Sequence, residues 1–220
     1  IPQFSFVTDI RRLDMAALNL TNKDWVISGK VDRIQINARN WQDITGTAIL
    51  RNFQIIQDKQ FTHYIDSLQF ESYFRPDGTR YMSLNSDVGE GLLEGTFDFQ
   101  TVFRNLAQIF SRYHPEFAAR LNLPAADSAQ LTDNYSLHLN IRNTRGLTKL
   151  ISSDLDTLRN ISINGAVNAR QGTSSLRISA PYLRYNGFAL SGTELLWEGA
   201  GEDAMLHLSI PNSVVSQTIL

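Results

Sequence analysis

Along most of this chain, apolar and polar positions alternate with the period of two that marks a half-buried β-strand. In "IQIN", Ile34 and Ile36 fall on one side and Gln35 and Asn37 on the other. In "SLQFESYF", Leu68, Phe70, Ser72 and Phe74 oppose Gln69, Glu71 and Tyr73. "SLHLNIRN" sets Leu137, Leu139 and Ile141 against His138, Asn140 and Arg142. "YMSLNSD", "GLLEGTFDF", "NISINGAVNA" and "SLRISA" continue the pattern, giving about twelve predicted strands. The alternation places Leu68, Phe70, Leu84, Leu93, Leu137, Leu139, Ile161, Ile163, Leu176 and Ile178 on a single concave or buried side. Turn signals separate several strands: "RPDGTR" (75–80), with Pro76 and Gly78, and "YNGF" (185–188), with its Asn-Gly pair.

Two stretches follow helical spacing instead. Val102, Phe103, Leu106, Ile109, Phe110 and Tyr113 form an apolar stripe opposite Arg104, Asn105, Gln108, Ser111 and Arg112. His114-Pro115 closes that helix, Glu116–Leu121 resumes a short turn, and the polar loop "LPAADSAQLTDN" follows. The helical insertion is thus expected over about 101–123, its stripe lying on the apolar side of the sheet as a groove-covering element. A shorter helix is expected over about 145–153, with Leu147, Leu150 and Ile151 aligned and Thr144 as N-cap. No compositional break divides the chain, so 1–220 reads as one segment. The one-sided strands require a partner for their apolar face, and a sandwich, a barrel or an elongated sheet folded over a groove would each supply one.

Composition removes several function classes. With 20 basic and 22 acidic residues and an isoelectric point near 6.1, the chain has no excess positive charge for nucleic acid. It has no cysteine, hence neither disulfides nor a thiol nucleophile. The start at Ile1-Pro2, followed at once by strand-like residues, suggests an excised or processed piece whose membrane anchor lies elsewhere.

Candidate chemistry is sparse. Gly89, Gly91 and Gly95 miss the dinucleotide spacing and precede strand-like residues, so a turn and a bulge account for them. Asp87, Glu90, Glu94 and Asp98 could in principle hold calcium or act as an acid–base pair, but read as solvated carboxylates of the outer face. His63, His114, His138 and His207 lack any metal-ligand spacing and read as outward-facing or capping residues. No G-x-S-x-G occurs. The expectation is a protein without catalytic activity, metal or cofactor.

Two long stretches carry a family resemblance. "YIDSLQFESYFRPDGTRYMSLNSDVGEGLLEGTFDF", followed by an apolar helix ending "RYHPEF", resembles the repeating core of TamB-like translocation and assembly module proteins. So does "NYSLHLNIRNTRGLTKLISSDLDTLRNISINGAVNA" with "LRISAPYLRYNGFALSGTELLWEG" after it. The inserted helix and the "IRNT…LTKLI" segment are similar to the Bacteroidetes branch, and the resemblance covers roughly residues 25–200. It implies an AsmA-like, inner-membrane-anchored periplasmic protein whose strands stack into a long, curved antiparallel β-taco with an apolar groove. It further implies phospholipid as cargo between the two membranes in outer-membrane biogenesis, and an Omp85-type outer-membrane partner engaged through a region outside this chain. Two rival readings are an assembly factor that binds unfolded strands at a sheet edge, and a carbohydrate-binding β-solenoid with exposed aromatics and a carboxylate–Lys/Arg cluster on its outer face.

Overall fold

A computed structural model describes residues 3–18, 24–37, 43–57, 61–97, 108, 111, 116, 119, 133–143, 155–185, 188–201 and 203–215. The strands are β1 (Gln3–Asp14), β2 (Trp25–Asn37), β3 (Thr45–Gln57), β4 (Phe61–Phe74), β5 (Arg80–Ser86) and β6 (Gly89–Thr96). They are followed by β7 (Asn134–Asn143), β8 (Leu155–Asn168), β9 (Thr173–Tyr185), β10 (Phe188–Ala200), β11 (Asp203–Ser209) and β12 (Asn212–Val215).

All twelve belong to one curved antiparallel sheet that does not close. Strands β1 to β11 pair in chain order, each with the next, and β12 returns beside β10 below β11. Where neighbouring strands follow closely, such a meander needs only tight reversals, and the sequence supplies them; β6 and β7 are instead joined by residues 97–133, and β7 and β8 by 144–154. At "RPDGTR" the Arg75 N–H donates to the Thr79 carbonyl at 2.8 Å, and Gly78 takes φ 83°. The Asn-Gly of "YNGF" lies outside the described residues, but its flanks Tyr185 and Phe188 pair directly. Ten steps of about 4.8 Å make the sheet about 48 Å across from β1 to β11.

The long strands share an irregularity that alternation did not predict. Asn52 in β3 and Asn160 in β8 have left-handed backbones, with φ 51° and 52°. Asn52 interrupts the ladder between the Arg51–Ser67 and Phe53–Ile65 pairs, and Gly29 of the neighbouring strand gives way to the Phe53 ring. Asn160 faces Pro181, which has no N–H to give, and Pro181 in turn faces Gly192, at φ 68°. A Cβ at Gly192 would stand 3.0 Å from Pro211 Cγ, at the junction between β11 and β12. These positions form a crease running across the strands. On crossing it, the buried side changes parity: in β4, Ser72 is buried above and His63 below, and in β8, Ile161 above and Leu158 below.

The short hairpin β5–β6 turns at the crease. Ser86 Oγ donates to the Gly89 carbonyl, and the Gly89 N–H donates back to Ser86 Oγ. Two compact clusters lie above and beside this line: Tyr135 and Val167 with Leu93 and Phe97, and Leu158, Ile161 and Ala180 with Ile141, Ile163, Ile178 and Leu183.

The expected helix over 145–153 and the apolar stripe Val102, Phe103, Leu106, Ile109, Phe110 and Tyr113 lie outside the described residues. Gln108, Ser111, Glu116 and Ala119 are helical. Ser111, expected on the polar side of that helix, is buried.

Candidate functional site

Register decides which side chains share a face, because directly paired residues point the same way and neighbours along a strand point oppositely. One apolar row crosses the whole sheet. It runs Phe6, Ile34, Ala48, Phe70, Leu84, Gly91, Leu139, Ile163, Ile178, Leu195 and Leu208, one residue from each of β1 to β11. A second row on the same face, two residues along each strand, runs Ile36, Gly46, Ser72, Met82, Leu93, Leu137, Gly165, Leu176, Trp197 and Leu206. A third includes Val31, Leu50 and Leu68 on one half and Ile141 and Ile161 on the other. The ten residues selected by alternation therefore occupy one face, distributed over three adjacent rows.

The row immediately between the first and third, on the opposite face, is polar from β4 to β11 and meets Ile49 in β3. It reads Gln69, Asn85, Glu90, Asn140, Ser162, Ser179, Glu194 and Ser209. From β4 to β11 this polar row backs the apolar ones, although Leu92 and Leu196 also stand on its face, in register with His138 and His207.

The apolar side is not sealed. Leu84 is 40% exposed, Phe6 47%, Leu206 46% and Leu208 54%. Phe70, Leu93, Leu137, Leu139, Ile163, Leu176 and Ile178 are half-buried, and Ile161 is buried. Glycines in the rows let neighbours lie low: a Cβ at Gly91 would be 3.5 Å from Leu139 Cδ1, and one at Gly165 would be 3.6 Å from Leu176 Cδ1. Alternation could also have yielded Ile34, Ile36, Leu195 and Leu208, since the same period of two runs through β2, β10 and β11. Ala48, Gly91 and Gly165 carry no such signal.

One end of this face holds a buried cation. Arg80 is 2% exposed, and its Nη2 donates to the Ile44 carbonyl at 2.8 Å, which also accepts Ser72 Oγ at 2.8 Å. The guanidinium lies 4.9 Å from the Phe74 ring centre and 5.9 Å from that of Phe97. Tyr135 packs there as well; burial first, then the charge of Asp133, raises its pKa well above the ordinary phenol range.

The acidic group has structural partners. Asp87 Oδ1 accepts the backbone N–H groups of Asp66 and Ser67 at 2.9 and 3.2 Å, so it holds the crease of β4. Glu90 pairs with Arg142 at 2.7 Å, and Glu94 pairs with Arg75. Asp98 lies outside the described residues. Glu90 and Glu94 are on the polar face as expected, but as halves of ion pairs rather than as lone solvated groups. A depression of about 570 Å³ opens on the polar side of the crease. Its lining mixes Arg51 and Arg142 with Asp66 and Asp87, so neither sign dominates.

Of the histidines, His138 sits on the polar face with Nδ1 2.5 Å from Asn164 Oδ1, and His207 is exposed. His63 corrects the expectation of an outward residue. It is buried, because the crease brings the odd positions of lower β4 to the covered side, and burial lowers its pKa. His114 lies outside the described residues. Among the described residues no three His, Asp or Glu side chains come together as a metal site, and no helix is long and apolar enough to cross a membrane.

No family model, curated protein or solved structure matches the chain.

Proposed function

We propose that this chain is a segment of a TamB/AsmA-like periplasmic conduit that shields phospholipid acyl chains on its apolar sheet face, without catalysis of its own. The observation that carries the reading is the unbroken apolar row from Phe6 to Leu208, backed from β4 to β11 by the polar row Gln69 to Ser209. An ordinary core ends where its sheet is covered, whereas this face continues to both edges and retains large side chains near half exposure.

Transfer of a lipid between membranes requires neither nucleophile nor metal. The barrier is hydration of the acyl chain, which costs about 0.8 kcal/mol for each CH₂ exposed to water. A surface that is apolar at every strand along its length lowers that barrier at each step, and the mainly polar reverse side favours contact with water. The conduit would belong to an inner-membrane-anchored protein that reaches an Omp85-type partner through regions outside this chain.

A carbohydrate-binding reading has one observation in its favour. On the polar face Tyr73 and Tyr81 stack with ring centres 4.7 Å apart, and Arg75, paired with Glu94, lies 5.5 Å from the Tyr81 ring centre. That patch is confined to one hairpin end, while the apolar rows cross the whole sheet.

A photo-crosslinking residue at Phe70, Leu139 or Ile178, placed in cells, tests the proposal, with mass spectrometry of organic extracts of the purified protein as a second measurement. Phospholipid adducts at these positions and phospholipid in the extract are expected. Crosslinks to protein alone, with no lipid extracted, would overturn it in favour of a dry core or an assembly factor. Recovered glycan would favour the hairpin patch.

A further inference from the structure

The irregularity that creases the sheet also opens a cavity on its polar side. Left-handed Asn52 leaves the β3–β4 ladder without a pair between Arg51–Ser67 and Phe53–Ile65. The depression lies over that gap, lined by Arg51, Asn52, Asp66 and Ser67, with Asp87 and Arg142 from the neighbouring strands. Its volume of about 570 Å³ falls in the range of small-molecule sites, about 300–1,000 Å³.

Both cations of the lining are anchored from outside it. Asp32 holds Arg51 Nε at 2.6 Å but also pairs with Lys30 at 3.0 Å, so it offsets Arg51 only in part. Arg142 donates through Nη2 to Glu90 at 2.7 Å and through Nη1 to the Ser86 carbonyl at 3.1 Å. Neither Asp32 nor Glu90 lines the depression. A guanidinium is a fork of five N–H donors, and an anchor on one side does not exhaust them. The anchors hold the forks in place, which lowers the ordering cost of binding.

In sheet order, Asp66 on β4 and Asp87 in the β5–β6 turn come between Arg51 on β3 and Arg142 on β7. The exposed amides of Gln69 and Asn85, paired across β4 and β5, add neutral donors and acceptors to the lining. This order of charges selects a ligand. A plain anion drawn to either arginine meets the carboxylates, and a plain cation drawn to the carboxylates meets the arginines. A molecule with both charges a few bonds apart meets an opposite charge for each. We propose that the depression binds a small zwitterion, its oxyanion at Arg51 and its ammonium at Asp66. A free amino acid and the phosphoethanolamine of a lipid headgroup share that chemistry. The site lies on the reverse of the apolar rows, so its test is independent of their cargo.

Backbone amide NMR of the 220-residue chain, titrated with glycine, O-phosphoethanolamine, acetate and ethylamine, tests the site. Both zwitterions should shift the Asp66 and Ser67 amide signals saturably at millimolar concentration. Acetate and ethylamine should bind at least about tenfold more weakly. Arg51→Gln and Asp66→Asn should each weaken the zwitterions at least about tenfold, with thermal unfolding unchanged in Arg51→Gln. If Asp66→Asn disturbs folding, Arg51→Gln alone decides. Glu94→Gln, at the hairpin end, should leave binding as it is. Vesicles of phosphatidylethanolamine, compared with phosphatidylglycerol, distinguish the two sources. Co-sedimentation with the former alone, lost in Arg51→Gln, assigns the ligand to a lipid headgroup; binding of the soluble zwitterions without it assigns a free molecule. No saturable shift from either zwitterion up to about 100 mM would overturn the proposal. So would acetate binding as tightly as glycine, or undiminished binding in a folded Arg51→Gln protein.

Discussion

The carboxylate of Asp87, in the turn between β5 and β6, accepts the backbone N–H of Asp66 at 2.9 Å across a gap in the β4 ladder. It also accepts the Ser67 N–H, at 3.2 Å. A ladder that skips a pair leaves donors without their strand partners, and Asp87 supplies the missing acceptor from a side chain. The acidic residue that most invites a catalytic role is thus part of the crease.

Asp87→Ala should therefore lower stability by about 1–2 kcal/mol, the scale of a charge-assisted hydrogen bond whose donors regain some water when it is lost. Asp87→Asn keeps one acceptor oxygen and should lose less than half of that. Urea unfolding of the two variants checks the ratio. Glu90→Gln and Glu94→Gln remove only surface ion pairs and should each change stability by less than about 1 kcal/mol.

Much of the fold was legible because a meander asks for little beyond alternation and turns, and this chain has both. Phe70, Leu84, Leu139, Ile163 and Ile178 could be assigned to one face without knowing their partners, since each strand keeps its own period of two. The row that joins them could not be read, because register is set between strands. The crease was illegible for a different reason. Asn52 and Asn160 look like ordinary polar positions of alternating strands, and a left-handed Asn is a local choice stabilised by its surroundings. His63 was misassigned in consequence, since the face it points to depends on which side of the crease it sits. The ion pair Glu90–Arg142 joins residues far apart in sequence, and no local pattern announces it.

The crease makes its own prediction. Asn52→Ala and Asn160→Ala force a side chain with weaker left-handed tolerance onto φ 51° and 52°, and each should cost about 1 kcal/mol. Valine at either site, branched at Cβ, should cost about 2 kcal/mol or more. Glycine at either site should be nearly neutral, its backbone freedom offsetting the lost side chain. If alanine and glycine behaved alike in thermal unfolding, the left-handed geometry would not be what these positions require.

Acid should weaken the lower half of the sheet through His63. Burial lowers its folded pKa beneath the ordinary 6.5, so folding favours the neutral ring. Above pH 6.5 the ring is neutral folded or unfolded, and the group contributes no pH dependence. As pH falls through that value the unfolded chain takes up the proton first, and stability drops until the folded pKa is passed. Urea midpoints at about pH 7.5 and about pH 5.5 should show the loss, and His63→Leu should make the difference smaller. An unchanged difference in that variant would assign the effect to other groups.

Arg80 tests how the end of the apolar face is closed. Its guanidinium combines a carbonyl hydrogen bond with two aromatic contacts, a combination that a lysine ammonium cannot reproduce in the same space. Arg80→Lys should cost about 1–3 kcal/mol despite conserving the charge. Phe74→Leu should cost about 0.5–1 kcal/mol, the scale of one cation–π contact at a partly exposed ring. In the double variant the two losses should not add, since the second removes a contact the first has already broken.

The apolar face offers the sharpest separation between folding and cargo, because its residues differ in how far they are covered. Leu84 is 40% exposed, while Ile161, on the same face, is 5% exposed and packed with Leu158 and Ala180. An arginine at Ile161 has to bring its charge into that cluster and should unfold the chain or cost about 3 kcal/mol or more. An arginine at Leu84 can reach water along its own stem, so Leu84→Arg should lose no more than about 1 kcal/mol. If the face carries acyl chains, Leu84→Arg nevertheless places a charge in their path, and lipid crosslinked at the neighbouring Phe70 should fall several-fold in a protein that remains folded. Thermal unfolding and crosslink yield, measured on the same preparations, distinguish the two effects. Full crosslinking in a stable Leu84→Arg protein would mean that lipid does not pass along the row that Leu84 shares with Phe70 and Leu139, and the conduit would have to be sought on other residues.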